Sequence, residues 1–448
     1  MKVITSYPVR IKEYSHIFDA TVDLYRAAVD HYIHIAMKEW DNLKELDSMR
    51  QLRYIEKVSH VTKVNPTPAY DIVSKDRRLY KLPCYLRRAA INKALGDVSS
   101  YKSRKARWDG IPADARGKEP GLPVAGMAFP AMYKENCYER TDLYSARLKV
   151  FHQNTWTWLD VELRKSDADY IARHCANRKE CAPTLTKKGK RWSLVFAFEE
   201  KVKLNNTPIT EQRILAVDLG INNACTCSVM TSDGTILHRD IYSLDKEYDS
   251  LHHALNKVKQ AQQHGNYKTP RLWAVAMGIN DRISVLTANH IVELAVKHKV
   301  SCVVMEHLNT RGKKRGASKQ KLHHWRSQYV QGVLFTKCHR MGIRISRVNA
   351  RGTSALAFDG SGEVERGKYL QNGVEKKNYS ICVFKTGKTY HCDLNASYNI
   401  GARYFIREFL KSCTETSRSD IEAKVPQCTA RSTCTLSTLI SLNAVLAA

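Results

Sequence analysis

Alternating apolar and polar positions open the chain and then give way to apolar positions three and four residues apart. The first run, Lys2 to Ile11, predicts a strand, and Pro8 within it predicts an edge position because proline cannot donate to a ladder. From about Ser15 the spacing predicts a long helix, with an apolar stripe formed by Phe18, Val22, Tyr25, Val29, Tyr32, Ala36 and Trp40. Such a stripe is typical of core packing. More helix is predicted from Met49 to Val61.

Strand-like runs return after a segment rich in glycine and proline, between Asp109 and Pro123, which indicates a domain boundary. They cover Ala146–Phe151, Thr155–Leu163 and Trp192–Phe198. Together with the first strand they predict a small β-barrel over residues 1–12 and 120–210. A helical domain over residues 13–119 interrupts that barrel in the sequence.

The stretch from Ile214 to Met230 organises the second half of the chain. An apolar run leads to Asp218, Gly220 lets the backbone turn, and a second apolar run departs. The run Cys225–Met230, the turn Ser232–Gly234 and the run Thr235–His238 then predict a hairpin. Helical and strand patterns then alternate and indicate an α/β sheet, with a helix from about Ser243 to Lys299, a strand at Cys302–Met305, a helix at Trp325–Arg340 and a strand at Gly342–Val348. After about Leu410 no clear period remains, so we expect a weakly ordered tail over residues 411–448.

Three carboxylates interrupt apolar surroundings in this half of the chain. Asp218 and Glu306 each end an apolar run, and Asp393 opens a predicted helix. Burying a carboxylate is costly unless it is paired or binds a metal. Taken singly, Asp218 also fits a turn, Glu306 a strand end and Asp393 a helix N-cap. Brought together, they would suit phosphodiester hydrolysis by two Mg²⁺ ions, with Mn²⁺ as a possible substitute, because these cations prefer oxygen ligands.

The charge of the chain indicates a polyanionic partner. Lysine and arginine number 72 against 44 aspartates and glutamates, which gives a formal net charge of +28 and favours nucleic acid over a membrane surface. Basic residues alternate with tyrosine and tryptophan after Ser74, as phosphate contacts and base stacking would require, although a solvated helix face is the alternative. The candidate nucleic-acid contacts are Arg77, Arg78, Lys81, Arg87, Arg88, Lys102, Arg104, Lys105 and Arg107, and, in a predicted basic loop, Lys313, Lys314 and Arg315.

Other sequence features bear on the compartment. No run approaches the roughly 18 consecutive apolar residues of a membrane span, and the first residues lack the apolar core of a secretory signal. The 13 cysteines are odd in number and scattered, which suits a reducing cytosol better than a disulfide framework. We therefore expect a prokaryotic cytoplasmic protein associated with nucleic acid.

Three motifs carry a resemblance to a known family. Ala216-Val-Asp-Leu-Gly-Ile-Asn222, Val304-Met-Glu-His-Leu-Asn309 and Asp393-Leu-Asn-Ala-Ser-Tyr-Asn-Ile-Gly401 resemble the three RuvC motifs of the transposon-encoded TnpB family, RNA-guided nucleases related to type V CRISPR effectors. The likeness is clear from about 210 to 405, compatible before 210 and absent from the tail.

The resemblance implies both a fold and a function. It implies an RNase H-like RuvC domain over residues 211–350 and 388–410, a wedge-like N-terminal β-barrel and a helical recognition insertion. Asp218, Glu306 and Asp393 would hold the metal ions and catalyse cleavage. The partners would be a guide RNA and a double-stranded DNA target beside a short flanking motif.

The sequence departs from that family at the zinc ribbon, over residues 351–387. The positions that should carry paired cysteines hold Ala357, Gly360, Val383 and Thr386. The nearby Cys382, His391 and Cys392 lack paired spacing, and zinc needs about four ligands. We therefore expect no zinc and a metal-free hairpin in this place.

Other interpretations share parts of the pattern. A guided DNA-binding repressor without cleavage would fit the lost zinc ribbon. An actin-like ATPase or sugar kinase also begins with an Asp-Leu-Gly strand. Such an enzyme needs a phosphate loop of small residues after that strand, where this chain has Ile221 and Asn222. A cut-and-paste transposase shares the three acids. Several polar residues flank the acids. Either support of the metal site or local capping would explain four asparagines: Asn222, Asn309, Asn395 and Asn399. Arg351 and Arg403 are expected to contact phosphates of the cleaved strand.

Overall fold

The computed structural model describes residues 1–12, 16–63, 65–308, 325–371 and 374–447, which form two compact units. One unit is Ile4–Glu200, and the other combines Met1–Val3 with Lys201–Ala448. Among the described residues, no helix combines the length and the apolar character needed to cross a membrane.

The helices of the first unit follow the predicted apolar stripe. Six of the seven stripe positions lie in α1 and are buried, while Trp40 begins the next helix. The side chain of Asp47 caps α3 by accepting from the backbone N–H groups of Met49 and Arg50. The helices of this unit are α1 (His16–Lys38), α2 (Trp40–Leu43), α3 (Ser48–Ser59), α4 (Ile72–Lys75), α5 (Cys84–Asp109) and α6 (Lys165–Cys175), with short 3₁₀ turns at Arg77–Lys81, Ala113–Ala115 and Ala125–Met127.

The strands of this unit form two sheets, and the expectation of a β-barrel was wrong. No closed sheet occurs among the described residues: one sheet has four strands and the other three. Two of the strands, β2 and β5, have only three and two residues, too few to continue a ladder around a barrel. The strands are β1 (Lys2–Arg10), β2 (Tyr138–Arg140), β3 (Ser145–His152), β4 (Thr155–Glu162), β5 (Lys179–Glu180), β6 (Thr184–Lys188) and β7 (Arg191–Lys201).

A five-stranded sheet forms the centre of the second unit. Its spatial order is β10-β9-β8-β11-β12, with β8, β9 and β10 antiparallel and β8, β11 and β12 parallel. The predicted hairpin and the alternation of strands and helices are thus confirmed. The strands are β8 (Arg213–Asp218), β9 (Cys225–Thr231), β10 (Ile236–Tyr242), β11 (Cys302–Glu306) and β12 (Arg344–Val348).

Helices cover both faces of this sheet, which explains why β8 is apolar from residue 214 to residue 217 without alternation. Ile214 and Ala216 pack in one cluster with the helix α10, whereas Leu215 and Val217 pack in a second cluster with α8 and α9. At Gly401 of α10 an added Cβ would lie 3.0 Å from the side chain of Met230, so glycine allows the helix to approach the sheet closely. The helices are α7 (Asp245–Gln263), α8 (Pro270–Lys297), α9 (Ser327–Arg340), α10 (Cys392–Ser412), α11 (Glu415–Lys424) and α12 (Leu436–Ala447), with 3₁₀ turns at Ile209–Glu211 and Pro426–Cys428.

A small sheet replaces the ribbon-like insertion. Its strands are β13 (Glu365–Gln371), β14 (Val374–Val383) and β15 (Thr389–His391), and β15 leads directly into α10. An apolar cluster of Ala357, Cys382, Phe384 and Cys392 lies beneath it. The thiols of both cysteines donate to backbone carbonyls, at Tyr390 and Tyr379.

The tail is ordered as helices, which corrects the expectation of weak order. Leu436, Leu439 and Leu442 of α12 are buried in the cluster that also contains α10. These leucines recur every third position, so the short apolar end of the chain has one face that packs. Ile421 and Val425 join the same cluster.

Candidate active site

Two of the predicted acids lie at the ends of adjacent parallel strands. Asp218 is the last residue of β8 and Glu306 the last of β11, and Met305 pairs with Val217 just before them. Successive side chains of a strand point to opposite faces, so Asp218 shares the face of Ile214 and Ala216. By the same alternation Glu306 shares the face of Cys302 and Val304, which belong to the same cluster. Both carboxylates therefore lie on the α10 face of the sheet.

The third acid comes from the start of α10. Asp393 is the second residue of that helix and is close enough to Asp218 to act on its charge. Burial raises the pKa of Asp218 well above its usual range, and the charges of Glu306 and Asp393 raise it further, while Arg366 opposes them. Burial also raises the pKa of Glu306. The structure thus brings together all three acids that the sequence singled out.

Neighbouring polar groups hold two of these carboxylates. Asn223 donates from Nδ2 to Oδ2 of Asp393 over 3.1 Å. It can do so because the turn after Asp218 is tight: a Cβ on Gly220 would lie 2.5 Å from the carbonyl oxygen of Asn223. Thr353 donates its hydroxyl to Oε1 of Glu306, and this bond lowers the pKa of Glu306 against the effect of burial.

Sequence reasoning did not find these partners. It singled out Asn222, which is exposed, rather than its neighbour Asn223. Thr353 and Gln331 come from segments far from any acid in the sequence, and Gln331 donates to the backbone carbonyl of Glu306 over 2.9 Å. Only the Asn-Asn pair directly after the Asp-Leu-Gly turn could have indicated one of the three.

Thr226 is a further polar residue beside the acids. It pairs with Asp218 across the β8–β9 ladder, so the two side chains lie on the same face. Its side chain is only 1 % exposed, and its Oγ1 has no hydrogen-bond partner. Two positions along β9 on the same face, the hydroxyl of Ser228 instead bonds that of Ser397 in α10.

Other flanking residues serve the backbone rather than the acids. Asn395 bonds Phe358 and Leu356, and Asn399 donates to the carbonyls of Thr353 and Leu356. The bonded residues are 37 to 46 positions apart in the sequence, so these bonds are neither contacts with the acids nor local caps.

The expectation of a phosphate contact was wrong for Arg403. Its side chain is 4 % exposed and donates to the carbonyls of Asn349, Arg351, Ser432 and Cys434. The guanidinium thereby ties α10 to two loops. Asn309 lies outside the described residues.

The carboxylate oxygens of these acids are suitable ligands for a hard divalent cation, although they do not form a complete coordination shell by themselves. In the described part of the chain, no three His, Cys, Asp or Glu side chains converge as a metal-binding group. Magnesium keeps several of its waters and needs only one or two carboxylates from the protein. The repulsion that raises the pKa of Asp218 is what such a cation would offset.

A cavity of about 670 Å³ adjoins the loop that follows Asp218. It lies between that loop, α7, α8 and the start of α9. Its apolar wall includes Leu255 and Ile283, and its carboxylates are Asp245 and Asp249. Arg326 and His252 also line it, so the lining carries groups of both signs of charge.

The candidate nucleic-acid residues divide into two groups. Four have acidic partners: Arg78 pairs with Asp76, Arg87 and Arg88 with Glu56, and Lys105 with Asp109 and Glu119. For the others no ion pair is seen within the described ranges: Arg77, Lys81, Lys102, Arg104 and Arg107. Lys313, Lys314 and Arg315 lie outside the described residues.

The Aq_aa04 family model matches residues 5–152, which is less than half of the chain. A search of curated protein sequences finds no match.

Among solved structures, the chain is similar to the protein in a Cas12f1–sgRNA–target DNA complex, at 13 % identity and a TM-score of 0.33 over 89 % of this chain and 98 % of that one. It is also similar to CasPhi-2 (Cas12j) bound to crRNA and phosphorothioate DNA, at 10 % identity and a TM-score of 0.44 over 90 % and 91 %. A CRISPR-Cas12f ternary complex gives 14 % identity and a TM-score of 0.32 over 86 % and 80 %. Likeness at this level carries no conclusion about activity, which depends on the site itself.

Proposed function

We propose that this protein is an RNA-guided, magnesium-dependent DNA endonuclease of the TnpB type, with Asp218, Glu306 and Asp393 as its catalytic carboxylates. One observation carries the proposal: the ends of two neighbouring parallel strands and the start of α10 bring three carboxylates to one face, close enough to raise the pKa of Asp218. The strand order, three antiparallel strands followed by two parallel ones, is that of an RNase H-like domain.

The residues at this centre have distinct tasks. Asp218, Glu306 and Asp393 would supply oxygen ligands to Mg²⁺, which when bound activates water and stabilises the leaving oxygen of a phosphodiester. Asn223 orients Asp393, and the hydrogen bond from Thr353 favours the ionised form of Glu306, the form that can act as a ligand. Supporting groups of this kind typically change metal affinity or activity by 10- to 100-fold when removed.

The partners follow from charge and from the motifs. A net charge of +28 needs a polyanion, and basic side chains without acidic partners, such as Arg104 and Arg107, can neutralise phosphates. The resemblance of the three acid motifs to TnpB adds that the polyanions are a guide RNA and a double-stranded DNA carrying a short flanking motif. Guide pairing would then select the DNA, while the protein supplies cleavage.

The decisive experiment tests RNA binding and the catalytic role of the acids in the same complex. The protein is purified from cells that carry its genomic neighbourhood, co-purifying RNA is sequenced, and the complex is incubated with matching DNA and Mg²⁺. We expect a discrete RNA and cleavage that is lost in Asp218→Ala. Absence of any bound RNA would contradict the proposal.

A guided repressor is the second candidate, favoured by one observation. The insertion before Asp393 rests on an apolar cluster around Ala357 and Cys382, where the family has its zinc ribbon. A discrete RNA with tight DNA binding and no cleavage would support this alternative. Both candidates predict RNA binding, so cleavage alone separates them.

A further inference from the structure

We propose that the hydroxyl of Thr226 is part of the acidic centre and positions the carboxylate of Asp218 when a divalent cation is bound. The inference rests on the proposed function, since it assumes that the three acids bind such a cation. It concerns a residue outside the three acid motifs.

Three observations point to Thr226. It lies directly opposite Asp218 in the β8–β9 ladder, where facing side chains have Cβ atoms about 4.5–5.5 Å apart. It is 1 % exposed, so water cannot serve as its partner from the surface. Among the residues that the structure describes, its Oγ1 has no hydrogen-bond partner.

An unpartnered buried hydroxyl lowers the stability of the fold, because it has lost its hydrogen bonds to water and gained none in return. Valine has the same shape, fits a strand equally well and avoids that penalty. Packing alone therefore does not explain a threonine at position 226. The next hydroxyl on the same face, that of Ser228, shows the contrast because it bonds Ser397.

The acidic centre supplies the missing partner. Thr226 faces Asp218 across the ladder, and the two oxygens of a carboxylate together accept several hydrogen bonds. One oxygen would bind the cation, and the other would accept from Thr226. The hydroxyl would thus fix the carboxylate in the orientation that the cation needs.

The test compares two variants of Thr226 in the full-length protein without RNA or DNA. Binding of Mn²⁺ is measured by electron paramagnetic resonance, and the melting temperature is measured with and without Mg²⁺. For Thr226→Val we expect an unchanged or higher melting temperature in the absence of cation, a smaller rise on adding Mg²⁺, and Mn²⁺ affinity weakened about 10-fold. Thr226→Ser keeps the hydroxyl and should retain most of the affinity.

Ser228→Ala is the matched control. It removes a buried hydroxyl from the same strand and face together with its hydrogen bond to Ser397, whose own hydroxyl still donates to the carbonyl of Leu394. We expect a lower melting temperature without cation and an unchanged rise with Mg²⁺. This pattern is opposite to that of Thr226→Val, so a general loss of stability cannot imitate the proposed role.

The outcomes separate this inference from the proposed function. If the protein binds Mn²⁺ and Thr226→Val binds it equally well, the role of Thr226 is wrong while the acidic centre stands. If Asp218→Ala binds Mn²⁺ as tightly as the unaltered protein, the acids do not hold the cation, and both inferences are overturned.

Discussion

Asn223 donates a hydrogen bond to Asp393 over 3.1 Å, which links the turn after β8 to the first turn of α10. The bond joins two of the three acid motifs although 170 positions separate the residues. It means that the orientation of Asp393 depends on the backbone beside Asp218. The acids should therefore act as one unit, and their substitution effects should not add.

Replacing either strand-end acid should abolish cleavage. We expect Asp218→Ala and Glu306→Ala to reduce Mg²⁺-dependent cleavage of guide-matched DNA by at least 10³-fold, because each removes a carboxylate ligand. RNA binding, measured by filter retention, should stay within about twofold, since neither residue lies among the basic candidates. Cleavage by either variant at the rate of the unaltered protein would show that the site is misassigned.

The repulsion at the centre should also appear in folding stability. A carboxyl group whose folded pKa is raised remains protonated in the folded state while the unfolded chain ionises, so its contribution to stability is lost as pH rises above its usual range. Asp218→Asn removes that titration. Without cations, the variant should therefore gain stability over the unaltered protein as pH rises above about 4, with a melting temperature higher by a few degrees at neutral pH.

Added Mg²⁺ gives the control for this measurement. It should raise the melting temperature of the unaltered protein but not that of Asp218→Asn, because a ligand stabilises only the state that binds it. Equal stability of the two proteins from pH 4 to pH 8 would contradict the repulsion inferred from burial and the neighbouring carboxylates.

Thr353 should determine the pH at which the cleavage rate falls on the acidic side of its pH profile. Its hydroxyl favours the ionised form of Glu306, so Thr353→Val should raise the pKa of Glu306 above its already raised position. Only the ionised carboxylate binds a cation, so the acidic limb should move to higher pH, with a smaller change in rate on the plateau. Thr353→Ser is the matched control. A limb that stays in place in Thr353→Val would show that the hydrogen bond does not act on the ionised state.

The acids could be predicted from the sequence because each one interrupts an apolar run. Such an interruption is visible within a few residues, at the end of a strand or at the start of a helix. It also predicted the central sheet, since the hairpin and the alternation of periods are local features. It could not predict Thr353 as the partner of Glu306, because that contact joins segments whose register is set only by the fold. The same reason explains the error over the barrel, where strand patterns were right but closure depends on strand lengths and pairing.

Basic residues without acidic partners should contribute more to RNA affinity than those in ion pairs. Arg104 and Arg107 lie on α5 without an ion pair among the described residues, whereas Arg78 pairs with Asp76 at 2.7 Å. The double variant Arg104→Ala/Arg107→Ala should weaken binding and reduce the slope of log affinity against log salt by about 0.7–0.9 for each phosphate that the variant no longer neutralises. Arg78→Ala should change the slope less, because Asp76 already competes for that guanidinium.

Titrations of the co-purified RNA over a range of salt concentrations measure these slopes directly. Equal reductions in the double variant and in Arg78→Ala would show that the ion pair with Asp76 opens on binding. A slope that neither change alters would exclude this region from the RNA interface.

The C-terminal helix should contribute to the stability of the second unit. Leu439 is fully buried in the cluster that contains α10, whereas its neighbour Ile440 is 54 % exposed. Leu439→Ala should lower the free energy of unfolding by about 2–5 kcal/mol, because it removes buried apolar surface and leaves a cavity. Ile440→Ala, the matched control, should change it by no more than about 0.5 kcal/mol.

Urea denaturation followed by circular dichroism measures both values. Equal, small changes would mean that α12 does not pack on α10 in solution. The expected contrast would mean that α12 supports the helix that carries Asp393, so that the acidic centre depends on a segment with no counterpart in the family motifs.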